Sequence, residues 1–184
     1  MEFKGNIKNK PTPAQPDEFR KAVAAANMAI VKGAVTAPRN GGLSVYGTNV
    51  LMNLVNEIGA LPTKNGQLTQ FEHADELGGE TIKETILVHD PTCHACPVAC
   101  KKEVEVKEGK YKVHMESTEY ESMWALGANC GCSSKEAIVK LVDMTNDYGI
   151  DAIEAGNCLS VAMEASERGL ITEKIQWDGE GYVS

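Results

Sequence analysis

Phe19, Val23, Ala26 and Ile30 recur at intervals of three and four residues, with Ala22 and Ala29 beside them. That period predicts a helix from a capping Asp17 to about Lys32, with this stripe buried and Gly33 ending it. Residues 34–47, rich in Gly, Asn and Pro, read as a loop. Thr48 is placed to cap a second helix carrying Val50, Leu51, Leu54, Val55 and Ile58 on one face, closed by Gly59. A turn over 60–66 follows, then two shorter helical pieces at 71–76 and 80–87. Beyond residue 100 the period changes to two. Val104 and Val106, then Tyr111, Val113 and Met115, alternate with polar residues around Glu108-Gly109 and predict a β-hairpin over about 103–115.

The helical period returns at 119–126, ending near Gly127. Ser133 and Glu136 then form an S-x-x-E capping box for a helix with Ile138, Leu141, Val142 and Tyr148 on its buried stripe and Gly149 at its end. Asp151 caps the last helix, lined by Ile153, Cys158, Val161, Ala162 and Ala165 and closed by Gly169. Cys158 reads there as a small buried hydrophobe. The predicted fold is all-α, multihelical, with one small hairpin. Residues 1–16, with Pro11, Pro13 and Pro16, form an extended lead-in to a helical domain over 17–184, and the segment from Ile171, which includes Trp177, has no clear period.

Charge removes some classes of function. Acidic residues outnumber basic ones 26 to 18 among 184, a net charge of −8, and no basic run offers phosphates a surface, so no nucleic-acid partner is expected. The polar opening is not a signal peptide, and no apolar run reaches the roughly 20 residues of a membrane helix. The expectation is a soluble cytoplasmic protein without a membrane partner. Six cysteines in such a chain point to metal or redox chemistry ahead of a disulfide framework.

Three of the six stand in Cys93-His94-Ala95-Cys96-Pro97-Val98-Ala99-Cys100. Three thiolates on one short loop, with a fourth from elsewhere, are the usual protein shell of a [4Fe–4S] cluster. A structural zinc is the rival, but zinc sites pair two knuckles, and Cys130-Gly131-Cys132 makes a poor second one. Radical enzymes that use adenosylmethionine carry the spacings in the opposite order. Cys130, Cys132, Cys158 or a residue outside this chain could supply the fourth ligand. His94 reads as an outward hydrogen-bonding residue, and Met123 and Trp124 as core.

Two further stretches carry candidate chemistry. Asn146-Asp147-Tyr148-Gly149-Ile150-Asp151 is a hinge between helices, explained by capping alone. It also sets helix N-terminal N–H groups beside short acidic side chains, where a heterocycle such as a pterin finds donors and acceptors together. Glu116, Glu119 and Glu121 cluster after the hairpin, either as a solvated acidic turn or with one member buried as a general base.

Together these stretches resemble the aldehyde ferredoxin oxidoreductase family, the tungsten or molybdenum pterin enzymes. The resemblance rests on Cys93-x-x-Cys96-Pro97-Val98-x-Cys100, Glu119-Tyr120-Glu121 and Leu126-Gly127-Ala128-Asn129-Cys130-Gly131. The 146–151 hinge looks like that family's D-x-x-G-L-D pterin motif, and Val55-Asn56-Glu57-Ile58-Gly59-Ala60-Leu61-Pro62-Thr63 also matches. What the resemblance implies is an aldehyde oxidised to a carboxylic acid at a tungsten (or molybdenum) bis-pyranopterin. Its electrons would leave through a [4Fe–4S] cluster to ferredoxin or another acceptor. It assigns Cys93, Cys96 and Cys100 to the cluster, Asn146, Asp147, Gly149, Ile150 and Asp151 to a pterin, and Glu119 or Glu121 to the base.

Two departures qualify the match. Asn146 stands where the motif has its first aspartate, so that contact becomes neutral. Family members are also much longer, and the later part of their chains holds the fourth cluster cysteine and a second pterin motif. The expectation is therefore a fragment, split subunit or excised domain, inactive without the missing parts. A stand-alone iron–sulfur electron carrier and a cofactor-free helical remnant are the alternatives.

Overall fold

The computed structural model describes residues 12–116 and 118–171. Its first helix, α1 (Pro16–Lys32), starts two residues earlier than expected. Gln15 is the N-cap and Pro16 takes the first helical position, where a missing N–H costs nothing; Asp17 lies inside the first turn. The expected burial is overturned. α1 buries none of its residues, and Phe19 is 56% exposed, with Val23, Met28 and Val31 also outward. Periodicity shows that an apolar face exists; what covers that face is a separate matter. The lead-in up to residue 11 and the segment beyond Ile171 lie outside the described residues.

The expected loop over 34–47 contains a short helix, α2 (Gly42–Tyr46). A 3₁₀ turn (Thr48–Val50) leads into α3 (Leu51–Glu57). α3 turns Met52 to the core and leaves Leu54 and Ile58 exposed, so the expected stripe is displaced. The turn that follows holds Lys64, Asn65 and Gly66 at positive φ between the bridged pair Thr63 and Leu68. It is fixed from outside, for Lys64 N donates to Ala128 O (3.0 Å) and Asn65 N to Asn129 O (2.9 Å). The two short helical pieces appear as a 3₁₀ turn (Ala74–Leu77) and α4 (Gly79–Thr85).

The hairpin forms as read from the sequence, with β2 (Glu103–Val106) antiparallel to β3 (Val113–Glu116) and Val104 opposite Met115. A third strand, β1 (Leu87–His89), joins the other edge of β2, in the order β1-β2-β3. Helix α4 therefore stops short of the residue 87 expected for it. Val104, Val113 and Met115 face the core, and the charged residues between them face away or sit at the margin.

Three helices complete the described chain: α5 (Tyr120–Leu126), α6 (Lys135–Tyr148) and α7 (Ala152–Glu167). The cap of α6 is Ser134, not Ser133: its hydroxyl accepts from Ala137 N (3.3 Å) and donates to Glu136 Oε2 (3.2 Å). Tyr148, expected on the buried stripe, is 73% exposed, whereas Ile138, Val139 and Val142 are buried. Asp151 caps α7 as expected, accepting from Ile153 N and Glu154 N at 2.9 Å each. The buried face of α7 is Gly156, Ser160 and Met163, while Cys158 and Val161 are exposed, which corrects the stripe and the reading of Cys158 as buried. Small residues face inward because α7 lies very close to α5. A Cβ on Gly156 would stand 2.5 Å from Ala125 O.

Met52, Leu61, Leu77, Ile82, Val104, Met123, Leu126, Ile138 and Val139 form the centre of the core, joining the sheet, α3–α6 and the turns between them. The architecture is mostly α with one small antiparallel sheet. Among the described residues no helix is long and apolar enough to cross a membrane.

Candidate functional site

The cysteine loop spans the gap between β1 and β2, so both of its ends are tied to the sheet. Cys96 N donates to Cys93 O (3.1 Å), closing the first half into a turn. Ala95 and Ala99, each immediately before a cysteine, hold φ of 56°, a left-handed conformation that non-glycine residues adopt only where surroundings impose it. Cys93 is exposed and Cys96 and Cys100 are half-buried. Among the described residues no three His, Cys, Asp or Glu side chains converge as ligands on a single ion.

The electrostatics show the thiols to be neighbours all the same. Burial raises the Cys100 thiol, and the negative charges of Glu119, Cys96 and Cys93 raise it further, against a lowering backbone hydrogen bond. Such an environment keeps the Cys100 thiol protonated in the absence of a cation, and a bound cation would favour the thiolate instead. A cubane cluster spreads its ligands over separate irons, so they stand farther apart than ligands on one ion. Cys93, Cys96 and Cys100 are the donors that the loop could offer a thiophilic metal group.

Glu119 and Glu121, equivalent in the sequence, are not equivalent in space. Glu121 is exposed on α5 and its charge raises the neighbouring Tyr120 hydroxyl after burial has done so. Glu119 is half-buried at the N-cap of α5. Thr48 Oγ1 donates to Glu119 Oε2 (2.6 Å) and accepts from Tyr120 N (2.9 Å). Thr48, expected to cap its own helix, thus caps α5 from 72 positions away and orients the glutamate. Next to it, Asn49 Nδ2 donates to Thr118 O (3.0 Å), yet Asn49 Oδ1 and Thr118 Oγ1 are buried with no partner. An unpaired buried polar atom costs about 1–3 kcal/mol. Two beside Glu119 mark a region whose polar chemistry the described residues do not complete.

Sequence reasoning missed Lys102 altogether, because a lysine entering an alternating strand reads as solvated. Its side chain is 1% exposed. Nζ donates to Ser44 O (2.9 Å) and Ala99 O (3.0 Å) and pairs with Asp90 Oδ1 (2.8 Å). Gly47 makes room for this arrangement: it sits at φ 69°, and a Cβ there would lie 2.9 Å from both Cys100 O and Lys102 Cγ.

The remaining cysteines differ sharply. Cys130 is 6% exposed, and its thiol donates to Ala125 O and Gly156 O, both at 3.4 Å, between α5 and α7. Burial, then the charge of Cys132, pushes it from 9.0 up to about 12, so it is a neutral packing thiol between these helices. Because the folded state keeps a proton that the unfolded chain releases near pH 9, its contribution to stability is intact below that pH and is lost as pH rises toward 12. Urea unfolding midpoints should accordingly fall across that window, and a Cys130→Ala variant should show a smaller fall. Cys132 lies half-buried with Sγ 4.0 Å from Ser134 O.

The helix hinge is an exposed surface throughout 146–151. The expected supply of free N–H donors is largely spent, since Gly149 N donates to Asn146 O, Ile150 N to Thr145 O, and the α7 N–H groups to Asp151. The hinge exposes the polar side chains of Asn146 and Asp147 beside the apolar Tyr148 and Ile150.

A family model described as aldehyde ferredoxin oxidoreductase, domains 2 and 3, matches residues 22–181. The chain belongs to the aldehyde ferredoxin oxidoreductase family. Its relatives include tungsten-containing aldehyde ferredoxin oxidoreductases from three archaea. The protein of Thermococcus kodakarensis is 38% identical over 151 residues, 79% of this chain and 24% of that protein. Those of Pyrococcus abyssi (42% over 134 residues, 73% and 22%) and Pyrococcus furiosus (38% over 152 residues, 80% and 25%) match similarly. The chain spans about a quarter of the length of the curated relatives it matches. Within this aldehyde ferredoxin oxidoreductase segment, the matched span covers the cysteine loop, Glu119 and the hinge together.

Proposed function

We propose that this chain is the electron-exit and base-bearing part of an aldehyde:ferredoxin oxidoreductase, completed by the rest of a longer enzyme. The observation that carries the reading is that the Glu119 segment docks beside the end of the cysteine loop, where Thr118 N donates to Lys102 O (3.2 Å) and the half-buried Glu119 carboxylate raises the Cys100 thiol after burial has done so. An electron carrier has no use for an oriented carboxylate at that place. Cys93, Cys96 and Cys100 would hold the [4Fe–4S] cluster, and Asn146, Asp147 and the hinge through Gly149, Ile150 and Asp151 would contact a pterin. When bound, these groups supply the redox chemistry, a tungsten or molybdenum pterin at the substrate and a one-electron store at the loop.

The chain's own residues supply the proton chemistry. Converting an aldehyde and water to a carboxylic acid releases two electrons and two protons. The carboxylate of Glu119 takes the proton that leaves the attacking water, while Thr48 Oγ1 keeps it aimed and Tyr120 N holds Thr48 in place. Glu121, exposed and outside this contact, takes no part. At the hinge, Asn146 and Asp147 accept from ring N–H and amino groups, and the neutral Asn146 lets a carboxylate be replaced without losing an acceptor. The electrons pass to ferredoxin or another acceptor.

Metal analysis of the anaerobically purified protein, isolated with whatever segments complete it, tests the reading. Iron together with tungsten or molybdenum is the expected result. Iron alone would replace the proposal with an iron–sulfur electron carrier, and the absence of all three metals would leave a cofactor-free helical remnant.

A further inference from the structure

Among the described residues Lys102 is the one charged side chain in the buried set. A buried ammonium is costly unless paired and hydrogen-bonded, and an apolar residue of similar size would pack there as well or better. What keeps a lysine here is its set of partners, because an apolar side chain would leave the Ser44 and Ala99 carbonyls without this donor. All three of its N–H donors are used, two on main-chain carbonyls and one on Asp90, whose side chain is 48% exposed and so faces water. The anionic partner is screened only in part by solvent and the cation is buried, which leaves a net positive field directed into the protein that the Asp90 charge still diminishes. One of the two carbonyls belongs to Ala99, the left-handed residue immediately before Cys100. The other belongs to Ser44 of α2, so the same ammonium binds the cysteine loop to the body of the fold.

We propose that Lys102 is a positioning residue for the redox loop, an inference that rests on the cluster reading above. Its ammonium locks the strained Ala99 carbonyl and thereby sets the direction of Cys100. It also supplies the fixed positive charge that stabilises an added electron at the loop. Reduction adds one electron and one negative charge, taken from the aldehyde in turnover or from dithionite in a titration, with no bond made or broken. Lys102 lowers the free energy of that reduced form more than that of the oxidised form, and Asp90 opposes it from the solvent side. The two residues thus act on the reduction potential with opposite signs, although they form one ion pair.

The experiment is a dithionite titration of the holoprotein, followed by the electron paramagnetic resonance of its reduced cluster, for wild type, Lys102→Met and Asp90→Asn, with iron content measured on each. Lys102→Met should shift the reduction equilibrium at least tenfold toward the oxidised form, about 59 mV for a one-electron couple. Asp90→Asn should shift it the other way at unchanged iron. Asp90 lies at the surface, so its variant keeps the test decisive if Lys102→Met does not fold. A wild-type protein without iron would overturn the cluster reading and this inference with it. An iron-replete wild type whose potential ignores Asp90→Asn, or moves in the same direction in both variants, would overturn the role of Lys102 alone.

Discussion

Glu119→Gln should reduce aldehyde oxidation by the assembled enzyme by about 10²- to 10⁴-fold, the usual contribution of a positioned general base. The amide keeps the size of the side chain and can still accept from Thr48 Oγ1, so the α5 cap survives and metal content should be unchanged. Only the ability to take up a proton is lost, so the fall should appear in kcat with little change in KM. Glu121→Gln is the matched control, since Glu121 is exposed and stands two residues away on the same helix. Its effect should stay within a few-fold. Equal losses in the two variants, measured as steady-state rates with a saturating aldehyde, would remove Glu119 from the role of base.

Gly156→Leu should produce a large loss of stability at the contact between α5 and α7. In an exposed helix interior, replacing glycine gains up to about 1 kcal/mol from backbone entropy. Here that gain meets a wall. A Cβ would lie 2.5 Å from Ala125 O, 2.6 Å from Ala125 C and 3.0 Å from Ala125 Cβ, so the obstacle is main chain and cannot rotate away. Forced overpacking costs about 1–3 kcal/mol for added methylenes, and more where α5 and α7 must separate. Separation would also break both hydrogen bonds of the Cys130 thiol. The expected result is a net loss of about 3 kcal/mol or more, read from urea unfolding midpoints. Gly156→Ala, which adds the Cβ alone, should also destabilise, reversing the sign expected from propensity.

Those two sites illustrate what the sequence could and could not convey. Asp151 was legible because capping is local: a short carboxylate beside the first turn meets its own N–H groups whatever the rest of the chain does. The hairpin was legible for the same reason, with Val104 and Met115 paired across a short connection. Ser133 and Ser134 are adjacent candidates for one cap, and the distinction lies in backbone angles that residue type does not encode. β1 spans only Leu87, Val88 and His89, too few residues to show a period. The face of α7 was misread because Gly156 and Ser160 carry little hydrophobic signal, though close helix packing selects small residues of this kind. At the site, the three thiols were evident from spacing, but the different settings of Glu119 and Glu121 depend on Thr48, and that of Lys102 depends on Ser44. Both partners are remote in sequence.

That remoteness has a consequence for the order of assembly. Thr48 meets Glu119 across 71 positions and Ser44 meets Lys102 across 58, whereas Cys93 and Cys96 are joined by a single tight turn. Contacts that close long loops must overcome more chain entropy and form late in folding. The Cys93–Cys96 turn thus needs no distant contact, whereas the Ala99–Cys100 end of the loop and its orientation relative to Glu119 wait for the contacts of Ser44 and Thr48. On the proposed cluster reading, iron delivered to a nascent chain would meet thiols still free to turn, and iron delivered after docking would meet them with Lys102 already in place.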